Sequence, residues 1–207
     1  MSVVLLSGGM DSAFLAYHEQ AEGRLRACVF VDYGQPAATQ EIESAFRVAQ
    51  KLGVRIFYFE IDGLRLFSMS DEPGKPGPRV IAARNAALCS VGANVAASLG
   101  CEWVLIGCVE DDALLYPDCR GDFICAISHA MALACGVQVA APFLTTTKRE
   151  LLERASRAGV DLSESWSCYA PKPGGVPCGT CDSCRVRISA FVEFGGIDPA
   201  YCSRERD

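Results

Sequence analysis

The chain is short of positive charge and of long hydrophobic runs. Its 207 residues include 19 lysines and arginines against 25 aspartates and glutamates, a net charge of −6. A nucleic-acid-binding surface needs basic side chains for its phosphate contacts, so this balance argues against nucleic acid as a partner. No apolar run reaches membrane-spanning length and no signal peptide precedes Val3, so we expect a cytoplasmic protein that contacts no membrane.

Two common phosphate-binding motifs are also missing. The chain has neither the G-x-x-x-x-G-K-[ST] pattern of Walker loops nor the G-x-G-x-x-G pattern of dinucleotide-binding folds. It has no internal repeat and no low-complexity tail. Half of its residues are hydrophobic. This length and composition suit one domain of ordinary size, with room for a small appendage.

The opening residues combine a short apolar run with a glycine-rich turn. Residues 3–6 are apolar and precede Ser7-Gly8-Gly9-Met10-Asp11-Ser12. The pattern predicts a buried strand, a turn and a helix from Asp11. Glycines leave backbone N–H groups open to a phosphate, and the positive end of the helix dipole points at the same place. The turn therefore predicts an anion site, with an ordinary capped glycine turn as the plain alternative.

Strand and helix patterns alternate along the rest of the chain. Further strands are predicted at 26–32, 54–60, 102–108 and 137–140. Helices are predicted at 37–52, 82–99, 121–135 and 148–158. A stretch rich in proline and glycine at 68–78 predicts a loop. The order predicts an α/β fold with a mainly parallel five-stranded sheet, helices on both faces, and ligands at the carboxyl ends of the strands.

Twelve cysteines in a reducing compartment need an explanation other than disulfides. Six lie singly in apolar segments, where a thiol behaves as a small buried hydrophobe: Cys28, Cys89, Cys101, Cys108, Cys125 and Cys135. Four more follow the spacing C-x9-C-x2-C-x2-C in a polar segment: Cys168, Cys178, Cys181 and Cys184. The spacing predicts a closed structural site for Zn²⁺, with an iron–sulfur cluster or a redox C-x-x-C as alternatives.

The cysteine cluster also divides the chain. Residues 1–160 are predicted to form the α/β core, and 161–207 a zinc-binding region with a closing helix. In that helix, the segment at 191–194 belongs either to the core or to an interface.

Several segments carry a resemblance to known families. The S-G-G-x-D-S turn resembles the PP-loop of ATP pyrophosphatases, which cleave ATP between its α and β phosphates. Other segments resemble the QueC family, the 7-cyano-7-deazaguanine synthases of queuosine biosynthesis. They are Asp32-Tyr33-Gly34-Gln35, Ala83-Arg84-Asn85, Tyr116-Pro117-Asp118-Cys119-Arg120, Lys148-Arg149-Glu150, Trp166-Ser167-Cys168-Tyr169 and Cys178-Gly179-Thr180-Cys181-Asp182-Ser183-Cys184.

The resemblance implies an ATP-dependent, AMP-producing ligase that forms a C–N bond on the adenine nucleotide alpha hydrolase fold. In this family the carboxylate of 7-carboxy-7-deazaguanine is adenylated, ammonia displaces AMP, and a second ATP converts the amide to the nitrile. A carboxylate is a poor electrophile, so AMP supplies the leaving group while the protein orients the reactants and stabilises charge.

Roles for individual residues follow from the same resemblance. Phosphates of ATP are expected at Ser7, Gly8, Gly9, Met10 and Ser12, with Asp11 near Mg²⁺ and with Asn85 and Lys148 against the nucleotide. The implied catalytic residues are Asp11, Lys148 and Arg84. The implied substrate residues are Tyr33, Gln35, Asp118 and Arg120. Seen in isolation, these residues also fit ordinary helix charges, a helical pair and a capped turn.

The chain departs from the family around these segments. Family members continue D-Y-G-Q with a basic residue and a histidine, whereas Pro36, Ala37 and Ala38 stand here. They carry V-P-G-R-N where this chain has Ile81-Ala82-Ala83-Arg84-Asn85. The departures keep a second hypothesis open, a QueC-like paralogue of anti-phage defence that joins the deazaguanine carboxylate to a protein amine. A nucleotide sensor without catalysis is the third, and the resemblance also implies a homodimer.

Overall fold

A computed structural model describes residues 1–62 and 81–198. The predicted loop at 68–78 and the end of the C-terminal region lie outside the described residues. Within them the strands are β1 (Ser2–Leu5), β2 (Leu25–Asp32), β3 (Ile56–Glu60), β4 (Trp103–Ile106) and β5 (Gln138–Ala140). The α-helices are α1 (Met10–Ala21), α2 (Ala38–Leu52), α3 (Arg84–Ser98), α4 (Glu110–Leu115), α5 (Gly121–Cys135), α6 (Lys148–Arg157) and α7 (Asp182–Phe194).

The five strands form one parallel sheet in the order β3-β2-β1-β4-β5. The chain builds outward from β1 through β2 to β3, then returns to place β4 on the other side of β1. This reversal opens a crevice between the carboxyl ends of β1 and β4, which is where open α/β sheets bind ligands. The predicted α/β fold with a five-stranded parallel sheet is confirmed.

Apolar side chains alternate between two hydrophobic layers. Val4 and Leu6 face helices α1, α2, α6 and α7, while Val3 and Leu5 face α3 and α5. Strands buried on both faces are nearly continuously apolar, as β1 and β2 are. Helix α3 packs close to the sheet at Gly92, where a Cβ atom would lie 2.9 Å from side-chain atoms of both Leu5 and Val104.

The predicted elements agree with the structure to within a few residues, apart from one missed helix. Helix α4 has only six residues, three of them acidic at its start, so it shows no apolar period that a sequence pattern could reveal. Asp112 closes its first turn by accepting a hydrogen bond from the Val109 N–H at 3.4 Å. This short helix carries acidic side chains to the crevice.

Two of the cysteines predicted to be buried are exposed. Cys28, Cys89, Cys101 and Cys108 are buried as expected, but Cys125 and Cys135 lie on the exposed side of α5. The prediction was wrong for these two because α5 is apolar on both sides and contacts the sheet with only one.

The C-terminal helix α7 joins the main core. Its Ala190 and Phe191 pack in the same layer as Val4 and Leu6, whereas Val192 is 66% exposed. The boundary after residue 160 stays a prediction. Among the described residues, no helix is both long enough and apolar enough to cross a bilayer.

Candidate active site

The loop at 7–12 joins the end of β1 to the start of α1. Gly8 has a φ of +79°, and a Cβ atom there would lie 2.4 Å from the Glu41 carbonyl oxygen of α2. Only glycine meets both conditions. The Gly8 carbonyl accepts hydrogen bonds from the Ser44 hydroxyl and the Trp166 N–H, each at 2.8 Å. The loop is thus held from two distant parts of the chain.

The remaining loop residues present polar groups at the start of α1. The Ser7 and Ser12 hydroxyls lie 3.0 Å apart. Gly9 caps the helix without a side chain, and the Met10 side chain is buried in the core, so these two offer a ligand only their backbone N–H groups. Gly107, after β4, approaches so closely that a Cβ atom would lie 2.8 Å from the Ser12 nitrogen. This arrangement at a helix N-terminus suits an anion, and the anion site itself stays a prediction.

A largely buried lysine lies between two carboxylates beside this loop. Lys148 Nζ, at the start of α6, is 2.8 Å from Asp11 Oδ2 and 3.2 Å from Asp112 Oδ1. Burial opposes charge on Lys148, but Asp11 and Asp112 outweigh it and raise the pKa of the ammonium. Burial raises the pKa of Asp112, and Asp11 adds to the rise while Lys148 opposes it. The lysine stays charged at the crevice.

One oxygen of Asp11 remains without a partner. Asp11 Oδ1 is buried and accepts no hydrogen bond among the described residues. A buried carboxylate oxygen in this state costs free energy unless a ligand satisfies it. Together with Asp112 it offers the oxygen donors that Mg²⁺ prefers, so these residues fit a magnesium ion bound to ATP phosphates.

A cavity extends from the loop along the carboxyl ends of β1, β2 and β4. Most of the predicted site residues line it: Ser7, Gly9, Met10, Asp11, Ser12, Tyr33, Gln35, Arg84, Asn85 and Lys148. Arg84 lies over the Tyr33 ring at 5.9 Å and has no carboxylate within 4 Å among the described residues. Its guanidinium donates to the Tyr33 hydroxyl and to Asn85 Oδ1, each at 3.4 Å, and a guanidinium in such a cavity suits an anionic group of a ligand.

Three predicted residues do not line the cavity. Gly8 faces α2, as described above. The Asp118 carboxylate accepts a hydrogen bond from the Asn85 N–H at 3.0 Å, and the Asn85 amide donates to the Asp118 carbonyl oxygen at 2.9 Å. Arg120 is exposed and its Nε donates to the Ala113 carbonyl oxygen at 3.1 Å. Asp118 therefore holds the start of α3, and a substrate role for Arg120 stays a prediction.

Several cavity residues had no role in the sequence predictions. They are Glu41, Asp111, Asp112, Tyr116, Trp166, Ser167, Tyr169 and Arg187. Asp111 and Asp112 come a few residues after β4 ends at Ile106, and acidic residues just beyond a predicted strand are a signal that the sequence offers. The others come from distant segments that only the fold brings to the cavity.

Arg187 of α7 orders the segment that carries Trp166. Its guanidinium is 2% exposed, pairs with Asp198 at 2.5 Å, and donates to the Ser165 carbonyl and hydroxyl oxygens at 3.0 and 2.8 Å. Ser167 Oγ is 3.3 Å away. The C-terminal region thereby positions Trp166, whose N–H holds the Gly8 carbonyl.

The four cysteines predicted to bind metal converge on one point. The Sγ atoms of Cys168, Cys178, Cys181 and Cys184 all lie within 4.8 Å of one another. Zn–S bonds of about 2.3 Å separate four tetrahedral sulfurs by about 3.8 Å, and Cys178 and Cys184 have this spacing, at 3.8 Å. The hydrogen bond with Cys184 lowers the pKa of Cys181 to about 4, which favours a thiolate. The cluster fits a tetrahedral metal ion.

Solved structures with a similar fold include a tRNA thiolase and an NAD synthetase. The U34-tRNA thiolase NcsA of Methanococcus maripaludis, solved with its [4Fe-4S] cluster, has a TM-score of 0.55 at 15% identity and matches 91% of this chain and 63% of its own. The NH3-dependent NAD synthetase of Campylobacter jejuni has a TM-score of 0.50 at 19% identity, over 77% and 64% of the two chains. At these identities the likeness establishes the fold alone.

Sequence comparison identifies the family. The model of the queuosine biosynthesis protein QueC matches residues 1–195. A 7-cyano-7-deazaguanine synthase of Paramagnetospirillum magneticum is 37% identical over 96% of this chain and 97% of its own length. The synthase of Rhizorhabdus wittichii is 36% identical over 96% and 94%. The chain belongs to the QueC family.

Proposed function

We propose that this QueC family member adenylates the carboxylate of 7-carboxy-7-deazaguanine with ATP and condenses it with ammonia to 7-cyano-7-deazaguanine. AMP and pyrophosphate leave in each activation step. The observation that carries the proposal is the cavity, which joins the proposed anion site at 7–12 and the Lys148 cluster to the guanidinium of Arg84, a group with no carboxylate within 4 Å among the described residues. The anion site suits the phosphates of ATP, and Arg84 suits the substrate carboxylate.

The groups in the cavity have separate tasks in this reaction. Lys148 neutralises charge that develops on the phosphates as the bond between the α and β phosphates breaks. Asp11 and Asp112 would hold Mg²⁺, which supplies Lewis-acid stabilisation of those phosphates when bound. Arg84 orients the substrate carboxylate toward the α-phosphate. Tyr33, Tyr116 and Tyr169 line the cavity and suit the flat faces of a deazapurine ring.

Zn²⁺ is the ion we propose for the cysteine cluster, in a structural role. Four thiolates leave no open position for a substrate. The cluster lies at the start of α7, so the metal would fix the helix that carries Arg187 and, through it, the Trp166 segment.

We propose a homodimer whose interface is the exposed side of α5. Only Ile124 of this helix is buried, whereas Leu133 is 77% exposed. Exposed apolar surface of this kind is covered when a second copy packs against it.

The decisive experiment is incubation of the purified protein with 7-carboxy-7-deazaguanine, ATP, Mg²⁺ and ammonia, followed by mass spectrometry of the products. We expect the nitrile, AMP and pyrophosphate. Accumulation of only the adenylate or the amide would contradict nitrile synthesis, and a deazaguanine mass on a partner protein would identify a protein amine as the acceptor. ATP binding without AMP formation would indicate a sensor.

A further inference from the structure

The side-chain amide of Gln35 is fully used inside the protein. Its Oε1 accepts a hydrogen bond from the Tyr33 N–H at 2.9 Å. Its Nε2 donates to Glu41 Oε2 at 2.9 Å and approaches the Val31 carbonyl oxygen at 3.5 Å. An amide with these partners has little hydrogen-bonding capacity left for a ligand. Gln35 therefore contributes to the site by positioning the Glu41 carboxylate.

Glu41 is the group that this arrangement presents to the cavity. It lies in the first turn of α2 and lines the cavity together with Tyr33 and Arg84. Gln35 is the sole hydrogen-bond partner of its side chain among the described residues, which also place no lysine or arginine nitrogen within 4 Å of it. The fold therefore leaves most of the acceptor capacity of this carboxylate unused.

Keeping the Glu41 carboxylate charged inside the protein costs free energy. Burial raises the pKa of Glu41 to about 7, with the hydrogen bond from Gln35 and the charge of Arg84 opposing the rise and Asp32 adding to it. Tyr33 is the other titratable neighbour, and burial keeps its phenol protonated by raising its pKa. A buried carboxylate that the fold does not satisfy is typical of a ligand site.

The donors of the proposed substrate match this acceptor. The pyrimidine edge of a deazaguanine carries two adjacent donors, the ring N1–H and the exocyclic amine, and a carboxylate accepts both in parallel. The corresponding edge of adenine places a donor beside an acceptor nitrogen, which repels a carboxylate. Asp118, which the family resemblance implied as a substrate residue, already accepts a hydrogen bond from the Asn85 N–H.

We propose that Glu41 is the specificity-determining residue that accepts the N1–H and the exocyclic amine of the deazaguanine, with Gln35 as its positioning residue. The inference rests on the proposed function and adds the residue that distinguishes a guanine-type base from other purine-like bases.

The test compares Glu41→Gln with the control Glu43→Gln, an exposed neighbour on the same helix whose nearest cation is Arg47 at 3.9 Å. We expect Glu41→Gln to raise the KM for 7-carboxy-7-deazaguanine about 10- to 100-fold, since each hydrogen bond to a charged group contributes to binding. The KM for ATP and kcat should change by less than about threefold. The control should match the unmodified protein.

An analogue without the exocyclic amine provides a readout that a merely structural role would not move. The unmodified protein should prefer the deazaguanine over this analogue by about 10-fold or more, and Glu41→Gln should lose most of the preference. A raised KM for ATP would place Glu41 at the adenine and overturn the inference. Lower kcat with unchanged KM values would overturn it too, because Glu41 would then be a proton acceptor.

Calorimetric titration of the deazaguanine without nucleotide separates this inference from the proposed function. If the unmodified protein binds the ligand but forms no AMP, the proposed reaction fails, and weaker binding by Glu41→Gln still supports the role of Glu41. Equal affinities of the two proteins would overturn the inference even if the reaction proceeds. If the unmodified protein does not bind the deazaguanine, both fail.

Discussion

At the scale of single residues, the position of Lys148 depends on contacts with distant parts of the chain. Its ammonium lies between two carboxylates that follow neighbouring strands, Asp11 after β1 and Asp112 after β4. A lysine at a helix start is ordinary in sequence, and the motif around it indicated only a resemblance. The contact with Asp11, 137 positions away, is what joins it to the loop at 7–12.

Replacing Lys148 tests that role. Lys148→Met should lower the rate of AMP formation by roughly two to three orders of magnitude, because a preorganised cation is lost where charge develops. The rate is measured by pyrophosphate release. Arg149→Met is the matched control, since Arg149 is exposed and pairs only with Glu153 along α6. Similar rates for the two variants would contradict the assignment.

Ala83 shows a local cost that the family departure introduced. It precedes α3 with a φ of +56°, in the left-handed region that favours glycine, and family members carry glycine at this point. Ala83→Gly should raise the free energy of unfolding by roughly 0.5–1 kcal/mol. The substitution relieves the backbone strain of the folded state, and the greater conformational entropy of glycine in the unfolded chain offsets part of this gain. Chemical denaturation measures it. Ala82→Gly, outside the left-handed region, should destabilise instead, and equal losses in both would refute the argument.

The stability of the folded protein should depend on pH through Glu41. Its carboxyl pKa is raised in the folded protein, so the folded state binds a proton more tightly than the unfolded chain does. Stability from this group is complete below about pH 4.5 and is lost as the pH rises through about 7. The free energy of unfolding of Glu41→Gln should therefore exceed that of the unmodified protein by up to about 3 kcal/mol at pH 8. At pH 4.5 the two values should be nearly equal. Denaturation at both pH values checks this, and a pH-independent difference would disagree with it.

At the scale of elements, the C-terminal segments hold the loop at 7–12 in place. Helix α7 places Arg187 against Ser165, and Trp166 donates to the Gly8 carbonyl. The predicted helices and strands could be located from apolar period alone, because that period is local. Helix α4 could not be, since six residues are too few for a period to show.

The cysteine cluster tests this bracing. Cys181→Ser should lose the bound metal and lower the Tm by about 10 °C, which corresponds to roughly 3 kcal/mol for a chain of this size. The rate of AMP formation should fall as well, because the segment that carries Trp166 is then held less firmly. Metal analysis and thermal unfolding measure both effects. Cys125→Ser, at an exposed single thiol, is the control, and full metal retention with unchanged Tm in Cys181→Ser would remove the assignment.

For the whole molecule, the exposed side of α5 is the surface that we propose for the dimer interface. Leu133→Lys should shift the protein from dimer to monomer, because a charge in an apolar interface must be desolvated. Sedimentation analysis measures the state. Val192→Lys on α7 is the control, at a comparably exposed apolar position. A protein that is monomeric before substitution would refute the proposal, as would a dimer that Leu133→Lys leaves intact.

The amino-acid sequence by itself determined the elements, the glycine-rich loop and the cysteine spacing, because each depends on neighbours within a few residues. Tertiary structure alone decided that Asp118 supports Asn85, that Glu41 faces the cavity, and that Asp112 joins Lys148. The reason is physical. Which polar group remains free for a ligand depends on the hydrogen bonds its neighbours make, and those neighbours come from distant segments that meet only when the sheet assembles.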